Sequence, residues 1–517
     1  MKIRYVNKNS HRCGVRKSTM KIQQVVERLK YLEKWIYAVP SIDLIEEVVK
    51  MVKEFNPNVE VYAIHSKTDY EDDKSVGDQI VFHLKNKQGL LIITQHALGN
   101  IHEIVKKGWN LVIDEVSDPT RHFNLNIKEE DQLKYIFSYV DQQEDGTDFP
   151  LLVIKDSKES PEEDLQDRIH NSDIVSRAFF TVSQQLQNLK DGKCKIYRHP
   201  QFDKEKFVFT SFFNPSIIDG FDSVSFLGAL LEKTLLYQHW SSEGVHWEDD
   251  KVLNQLLRKK WSEEYPEEDF DTHSKPIEIY YCTPERKQSK NLLQQIVLGK
   301  TILEHFQESV LPFLNDKTMW LANLIDKKHP KPFSTFLEPV PYNNWGLNNF
   351  QDFNTLVYSA AYNKEPHFYK LLEHLHYEDT FAFYHLYQTI MRGSLRKHSE
   401  TPVFRLFIPC LPPLDLLQSV FKDIRLIQLP VPKEVKDYKD QRTNDFEPVD
   451  DCIEDSEKGF QNAGFSKFKS RSKKREIRDL LQEKGYQKIS VDTCSRRNTK
   501  KTYWTLYPDS LENFLKK

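Results

Sequence analysis

Cysteine is sparse and scattered in this 517-residue chain: Cys13, Cys194, Cys282, Cys410, Cys452 and Cys494, with no two at metal-ligand spacing. That excludes a zinc knuckle and offers no disulfide framework, as expected of a reducing compartment such as the cytoplasm. No run of about 18 apolar residues is present, so no membrane span is expected. The opening, Met1-Lys2-Ile3-Arg4-Tyr5-Val6, reads as a short strand and not as a signal peptide. The 18 histidines are dispersed and form no HExxH pattern. Neither a Ser-His-Asp nor a Cys-His set is visible, no PD…ExK nuclease arrangement stands in a domain of its own, and there are no internal repeats. A net charge of only -4 favours no class of partner, so any nucleic acid must use a local basic face.

What the chain does contain is enough for several cores. Its length suggests about three domains, and 39% of its residues are hydrophobic. Short apolar runs recur at residues 3–6, 35–39, 59–64, 90–94, 111–116 and 207–211, with helical patterns at 22–32 and 42–55 between them. Continuous apolar strands alternating with helices imply a parallel sheet covered on both faces. This predicts a first α/β lobe over residues 1–270. A second set of strands, at 276–282, 318–323, 356–360, 404–408 and 426–429, predicts another lobe over 271–430. Residues 431–465 are acidic and aperiodic, as a linker would be. Residues 466–517 begin with a basic cluster, Lys467 to Arg478, followed by a helical pattern and two strand patterns. The strand patterns flank Arg496-Arg497-Asn498-Thr499-Lys500-Lys501, so the segment resembles a small winged helix.

Leu111-Val112-Ile113-Asp114-Glu115-Val116 is an apolar strand ending in two carboxylates. In α/β sheets ligands bind at that edge. Asp114 could hold the magnesium of a nucleotide, and Glu115 could polarise the attacking water. The structural alternative is a surface turn. Upstream, residues 5–19 run from a strand through a loop into a helix and contain Gly14, Lys17, Ser18 and Thr19. A phosphate-binding loop needs that context: backbone N–H groups wrap phosphate oxygens, Lys neutralises them, and Ser or Thr binds magnesium. The residue before the Lys should be glycine; here it is Arg16. The first glycine of the pattern is replaced by His11.

The order of segments resembles the superfamily-two DNA helicases, in particular the phage and plasmid, type III restriction-like branch of the DEAD/DEAH type, with a degenerate Walker A loop. Trp35 to Ser41 resembles motif Ia. Thr94, Gln95 and His96 lie in a segment similar to one that touches the nucleic acid. Asp114-Glu115 falls at motif II and Phe209-Thr210-Ser211 at motif III, while residues 279–283 resemble motif IV. Gly346 to Asn354, including Asn348 and Asp352, resembles motif V. Tyr387-Gln388-Thr389-Ile390-Met391-Arg392-Gly393-Ser394-Leu395-Arg396 resembles motif VI, with two arginines one helical turn apart.

The resemblance implies two RecA-like parallel-sheet lobes in tandem, plus the small C-terminal α+β appendage. It implies a cytoplasmic ATPase that uses ATP and Mg2+ to move on or remodel DNA, single-stranded or duplex, with RNA as the alternative. Replication, repair or restriction proteins are its expected partners, and no membrane is. Glu115, Arg392, Arg396 and Gln388 would be catalytic; Gly14, Lys17, Ser18, Thr19, Gly346 and Asp352 would bind nucleotide. Ser18 and Asp114 would hold the metal; Thr94, Gln95, His96 and Asn348 would touch nucleic acid. The rival expectation is a catalytically impaired nucleic-acid-binding scaffold, its phosphate loop spoiled by Arg16.

Overall fold

A computed structural model describes the chain except for residues 1–2, 68–74, 100, 102, 117, 127–129, 144–148, 156–159, 162–176, 200–205, 285–287, 323–337, 341–349, 362–365, 398–402, 439–486, 493–499 and 506–517. It divides into two units, Met1–Lys436 and Asp437–Lys517.

Five strands open the first unit: β1 (Arg4–Asn9), β2 (Lys34–Val39), β3 (Val61–Ile64), β4 (Leu90–Thr94) and β5 (Trp109–Asp114). Five more follow, β6 (Thr120–Asn126), β7 (Val140–Gln143), β8 (Leu151–Ile154), β9 (Cys194–Arg198) and β10 (Lys206–Phe213), before β11 (Ser223–Leu227) and β12 (Val245–Asp249). β1 to β5 with β11 and β12 form one parallel sheet in the order β12-β1-β11-β5-β2-β4-β3. Its faces alternate residue by residue. Ile36, Ala38, Leu111 and Ile113 enter one core, while Trp35, Tyr37, Val39 and Val112 enter the other. Burial on both faces is why these strands read as unbroken apolar runs. The helices Lys17–Leu29 and Ile42–Phe55 cover the second face through Ile22, Val25, Val26, Ile45, Val48 and Val52.

β6 to β10 depart from the expected pattern. They form a separate antiparallel sheet, β6-β10-β9-β8-β7, inserted between β5 and β11. The strand expected at 207–211 exists, but it pairs antiparallel with β6 and β9 instead of joining the parallel sheet. An aromatic run marks a buried strand without naming its partners, and one of β10's two partners, β6, lies some 80 residues earlier. One face of this sheet packs Phe123, Ile196 and Phe209 with Tyr135 and Leu186 of its helices. The other face carries Phe212, which shares a core with Phe149, Leu235, Phe368, Leu371 and Leu372. The last three lie on the helix Pro366–His374, beyond the first lobe's sheet in sequence.

The second lobe contributes β13 (Ile277–Thr283), a small hairpin of β14 (Ile296–Val297) and β15 (Lys300–Thr301), then β16 (Thr318–Leu321), β17 (Glu338–Pro339), β18 (Thr355–Tyr358), β19 (Phe404–Cys410) and β20 (Ile424–Gln428). Its sheet is parallel, ordered β17-β16-β18-β19-β13-β20. The helix Phe381–Ile390 packs Phe383, Leu386, Tyr387 and Ile390 into its core. The unit is thus α/β with two RecA-like parallel-sheet lobes in tandem. In the second unit, β21 (Gln487–Asp492) and β22 (Lys500–Thr505) form the expected antiparallel hairpin. Its helix and basic tip lie outside the described residues. Among the described residues no helix is long and apolar enough to cross a membrane.

Histidines line the contact between the inserted sheet and the second lobe. The Thr210 hydroxyl bonds His199 Nε2 at 2.6 Å and His122 Nδ1 at 2.8 Å. His199 stacks edge-on against His367, with ring centroids 4.4 Å apart. Burial, with His367 and His122 alongside, lowers the His199 pKa to about 3. Burial, then Lys195, does the same for His239. The unfolded chain takes up these protons near pH 6.5, so it binds more protons than the fold between about pH 3 and 6.5. Stability is therefore lost as pH falls through that window. Denaturant unfolding at pH 7 and pH 5 should differ by about 2 kcal/mol per histidine. His239→Gln should flatten the dependence; an unchanged pH slope in that variant would contradict the buried neutral imidazole.

Candidate nucleotide cleft

The cleft begins where β1 ends. The chain turns through residues 10–16, with Gly14 at φ 88°, and enters the helix Lys17–Leu29. The N-terminal residue of a helix leaves backbone N–H groups unspent, and its dipole favours an anion there. No acidic side chain occupies this helix's first turn. Arg16, at the position where glycine was expected, has φ 62° and ψ 31°. The backbone therefore takes the left-handed form that glycine would supply, at a cost of about 1–2 kcal/mol. Its guanidinium pairs with Glu264 at 2.9 Å and donates to the Tyr265 hydroxyl at 3.2 Å, and the residue lines the cleft.

Lys17 Nζ donates to the carbonyls of His11 and Arg12 at 2.5 and 2.9 Å. Burial lowers its pKa, opposed by Cys13, Glu115 and Asp114. The Ser18 hydroxyl donates to Asp114 Oδ1 at 3.0 Å, and the Tyr37 hydroxyl donates to Oδ2 at 2.7 Å. Burial, then the neighbouring Glu115 charge, raises the Asp114 pKa to about 6. Glu115 follows at φ 70°, a second left-handed non-glycine residue, with its N–H on the Leu227 carbonyl at 2.7 Å.

The strand between the loop strand and the acid strand is β11, which the sequence reading missed. Its end, Leu227-Gly228-Ala229, lines the cleft. Gly228 N–H donates to the Asn9 carbonyl at 3.0 Å, lacing β11 to the loop. A Cβ on Gly228 would sit 2.3 Å from Val116 Cγ2, so the close approach requires glycine there. An apolar run, Val224 to Leu227 with Ser225 inside it, followed by Gly-Ala, was the available signal. Phe209-Thr210-Ser211, expected at this place, lies instead in β10 of the inserted sheet. Thr210 holds two histidines there, and the Ser211 hydroxyl donates to Gln185 Oε1 at 2.7 Å.

The second lobe closes the cleft. Its helix Phe381–Ile390 ends before Arg392, which lies in the following turn, and Arg396 ends the short 3-10 turn Ser394–Arg396. The arginines therefore do not share a continuous helical face; the chain breaks at Gly393, where a Cβ would sit 2.5 Å from Phe404 Cε2. Both still line the same cleft as Gly14, Lys17, Ser18, Thr19, Asp114 and Glu115, an open space of about 1290 Å³. Arg392 is 2% exposed, with Nη2 3.8 Å from Glu115 Oε1 and 3.4 Å from Gln388 Oε1. Burial lowers its pKa, opposed by Glu115. The lobes also meet at the loop itself: Cys13 N–H donates to the Tyr387 hydroxyl at 3.0 Å, and Cys13 Sγ reaches Gln388 Oε1 at 3.7 Å.

Other expected residues fall elsewhere. Gln95 Nε2 donates to the Asp114 and Glu115 carbonyls at 2.6 and 3.0 Å, so it holds the acid turn. Thr94 ends β4, and His96 is exposed on the short helix Gln95–Leu98 that follows. Asp352 pairs with Lys397 and is not part of the cleft wall. Gly346 and Asn348 lie outside the described residues.

No family model matches the chain, and no curated protein matches it. Among solved structures, the DUF1998 helicase MrfA bound to DNA and AMPPNP aligns at 9% identity with a TM-score of 0.31, over 80% of this chain and 47% of that one. The chain thus spans about half of MrfA. S. cerevisiae Dbp5 bound to RNA and ADP BeF3 aligns at 8% identity with a TM-score of 0.31, over 82% of this chain and 85% of that one. Mss116p bound to ssRNA and AMP-PNP aligns at 11% identity with a TM-score of 0.28, over 92% and 79%. Each likeness is distant, and the chemistry follows from the cleft's own residues.

Arg16→Gly should change little. Relief of the left-handed strain, about 1 kcal/mol, is offset by loss of an exposed ion pair worth about the same or less. Thermal shift with and without ATP and magnesium should give affinities within a few-fold of each other. A tenfold gain on Arg16→Gly would show that the side chain obstructs the cleft after all.

Proposed function

We propose that the chain is a nucleic-acid-stimulated ATPase, a helicase or translocase that hydrolyses ATP between its lobes to move on or remodel DNA. One observation carries this reading: Lys17, Ser18, Asp114 and Glu115 from the first lobe and Arg392 and Arg396 from the second line one cleft. A surface turn or an incidental Lys-Ser gives no reason for that convergence.

In this reading Lys17 and the helix N–H groups hold the β- and γ-phosphates of ATP, with Gly14 and Thr19 beside them. The Ser18 and Asp114 oxygens, already 3.0 Å apart, are the hard donors that Mg2+ prefers. Bound there, the ion would neutralise phosphate charge. Glu115 orients the attacking water and accepts its proton as the bond from the γ-phosphorus to the bridging oxygen breaks. Arg392 stabilises the charge that develops on the γ-phosphoryl oxygens, with Arg396 beside it. Gln388 touches both Arg392 and Cys13, so it is placed to report nucleotide state from one lobe to the other. Nucleic acid would lie across both lobes, with Thr94, His96 and Asn348 as contacts and the basic C-terminal segment as a second surface. The lobe boundaries at residues 270 and 430, the linker over 431–465, the cytoplasmic setting and the type III restriction-like branch belong to the same proposal and rest on motif order.

The test is phosphate release with single-stranded DNA, duplex DNA and RNA offered separately. Lys17→Ala and Glu115→Gln should abolish stimulated turnover. Arg392→Ala should lower kcat by about 10³-fold or more, the size of an arginine-finger loss. Unchanged turnover in both Lys17→Ala and Glu115→Gln would sink the reading. Nucleic-acid binding without hydrolysis in the wild-type chain would favour the scaffold.

A further inference from the structure

The sheet face under the helix Lys17–Leu29 changes character along its length. At the carboxyl end it is apolar, with Tyr37, Val112 and Leu227 in the core. Toward the amino end the same face of β1, β11 and β5 carries Asn7, Ser225, Ser223 and Asn110, which line a solvent-open cavity. The opposite face is apolar on β11 and β5, with Val224, Phe226, Leu111 and Ile113, and Val6 joins them from β1. A strand face covered by a helix is normally filled by apolar side chains, so a polar floor there is a departure that packing does not explain.

The floor is only partly satisfied from within the protein. Ser223 donates to Asn110 Oδ1 at 2.6 Å, and Asn110 Nδ2 donates to the Lys34 carbonyl at 3.2 Å. Asn7 and Ser225, which are register partners on adjacent strands, make no side-chain hydrogen bond to a described residue. Gln24, one helical turn from Lys21, also lines this space, and its Oε1 is buried with no hydrogen-bond partner. Lys21 is 3% exposed, but its ammonium is spent on Asp250 at 3.0 Å. The indole of Trp35, 7% exposed, forms one wall.

We infer that this cavity is a second binding site, for a neutral nucleoside, separate from the ATP cleft. The two share no lining residue. Carboxamides offer a donor beside an acceptor, the complement of the amine and ring-nitrogen edge of adenine. Asn7 carries that pair on the sheet. Carboxylates at the rim, Glu248 and Asp249, suit ribose hydroxyls. The lining holds four carboxylates, Glu33, Glu248, Asp249 and Asp250, against three cations, which disfavours a phosphate. Because one helix supplies Lys17 and Ser18 to the first site and Gln24 to the second, occupancy of one bears on the same rigid element as the other.

The experiment is calorimetric titration of the full chain with adenosine, AMP, uridine and ribose, each in the presence of a saturating non-hydrolysable ATP analogue. Adenosine should bind with the ATP cleft filled, more tightly than AMP, uridine or ribose. Gln24→Leu and Ser225→Val should each weaken it tenfold or more, while circular dichroism and ATP turnover stay near wild type. Asn7→Ala provides a milder variant should Ser225→Val disturb the sheet. Displacement of adenosine by the ATP analogue would overturn the assignment, because the nucleoside would then be using the first cleft. So would an absence of heat with every probe. Variants that raise the melting temperature yet keep adenosine affinity would also overturn it, leaving a solvated packing fault.

Discussion

The guanidinium of Arg392 is held almost out of water against a carboxylate from the other lobe. Taking such a charge into the interior costs several kcal/mol, and the cost is recovered only where a counter-charge and hydrogen-bond acceptors are at hand. Glu115 at 3.8 Å and Gln388 Oε1 at 3.4 Å supply them. One acceptor comes from each lobe, so the second lobe's position is tied to the geometry of the acid turn. Removing Glu115 would strand the charge. The Cys13 N–H to Tyr387 hydroxyl bond ties the loop after β1 to the helix that carries Gln388. The cleft is thus an interface first, and its chemistry follows from what that interface brings together.

Backbone strain gathers around this interface. Arg16, Glu115 and Leu230 all have positive φ without being glycine, and they follow the ends of β1, β5 and β11 respectively. Each costs of order 1 kcal/mol or more and persists only because neighbours over-determine it. Glu115 is fixed by its N–H on Leu227 and by Gln95 on its carbonyl. Leu230 is fixed by its N–H on the Ser10 carbonyl at 3.0 Å. Arg16 is fixed at both ends, by the Met20 N–H on its carbonyl and by Glu264 on its guanidinium. A glycine was expected before Lys17 because it leaves no side chain between the backbone and a phosphate. The chain adopts the left-handed conformation with an arginine instead and absorbs the cost, and Arg16 remains part of the cleft lining.

The parallel strands were legible because both faces of each are buried. Runs such as Leu90 to Thr94 and Phe404 to Ile408 need no partner to announce themselves, and the observed β4 and β19 match them closely. The acid turn and the loop were legible because chemistry fixes residue type at a strand end. What escaped was set by distant pairing. β6, Thr120–Asn126, alternates polar and apolar residues and gains meaning only beside β10, some 80 residues later. Thr210 and Ser211 offered hydroxyls of the right kind, but their strand belongs to another sheet. β11 was hidden by Ser223 and Ser225, the polar residues that floor the second cavity. That Arg392 would face the cleft was expected only from the resemblance to motif VI; its place after the helix end was not, because the break depends on the tight contact at Gly393.

The inserted sheet joins the lobes at a second place, far from the phosphate loop in sequence. Phe212 of β10 is fully buried beside Phe368, with ring centroids 6.5 Å apart, and Phe149 stacks on His374. Burying one such aromatic side chain is worth roughly 1.5–3 kcal/mol, and several share this contact. The Tyr377 hydroxyl adds bonds to His239 and Ser242 at 3.1 and 2.8 Å. Two lobes joined only across a nucleotide cleft would be free to swing apart when the cleft empties. Here that swing would also have to expose an aromatic core. The closed arrangement of Lys17, Glu115 and Arg392 therefore owes part of its stability to contacts outside the cleft. Any opening of the lobes must then either pivot about the inserted sheet or break it, and pivoting costs less because it leaves the apolar contact in place.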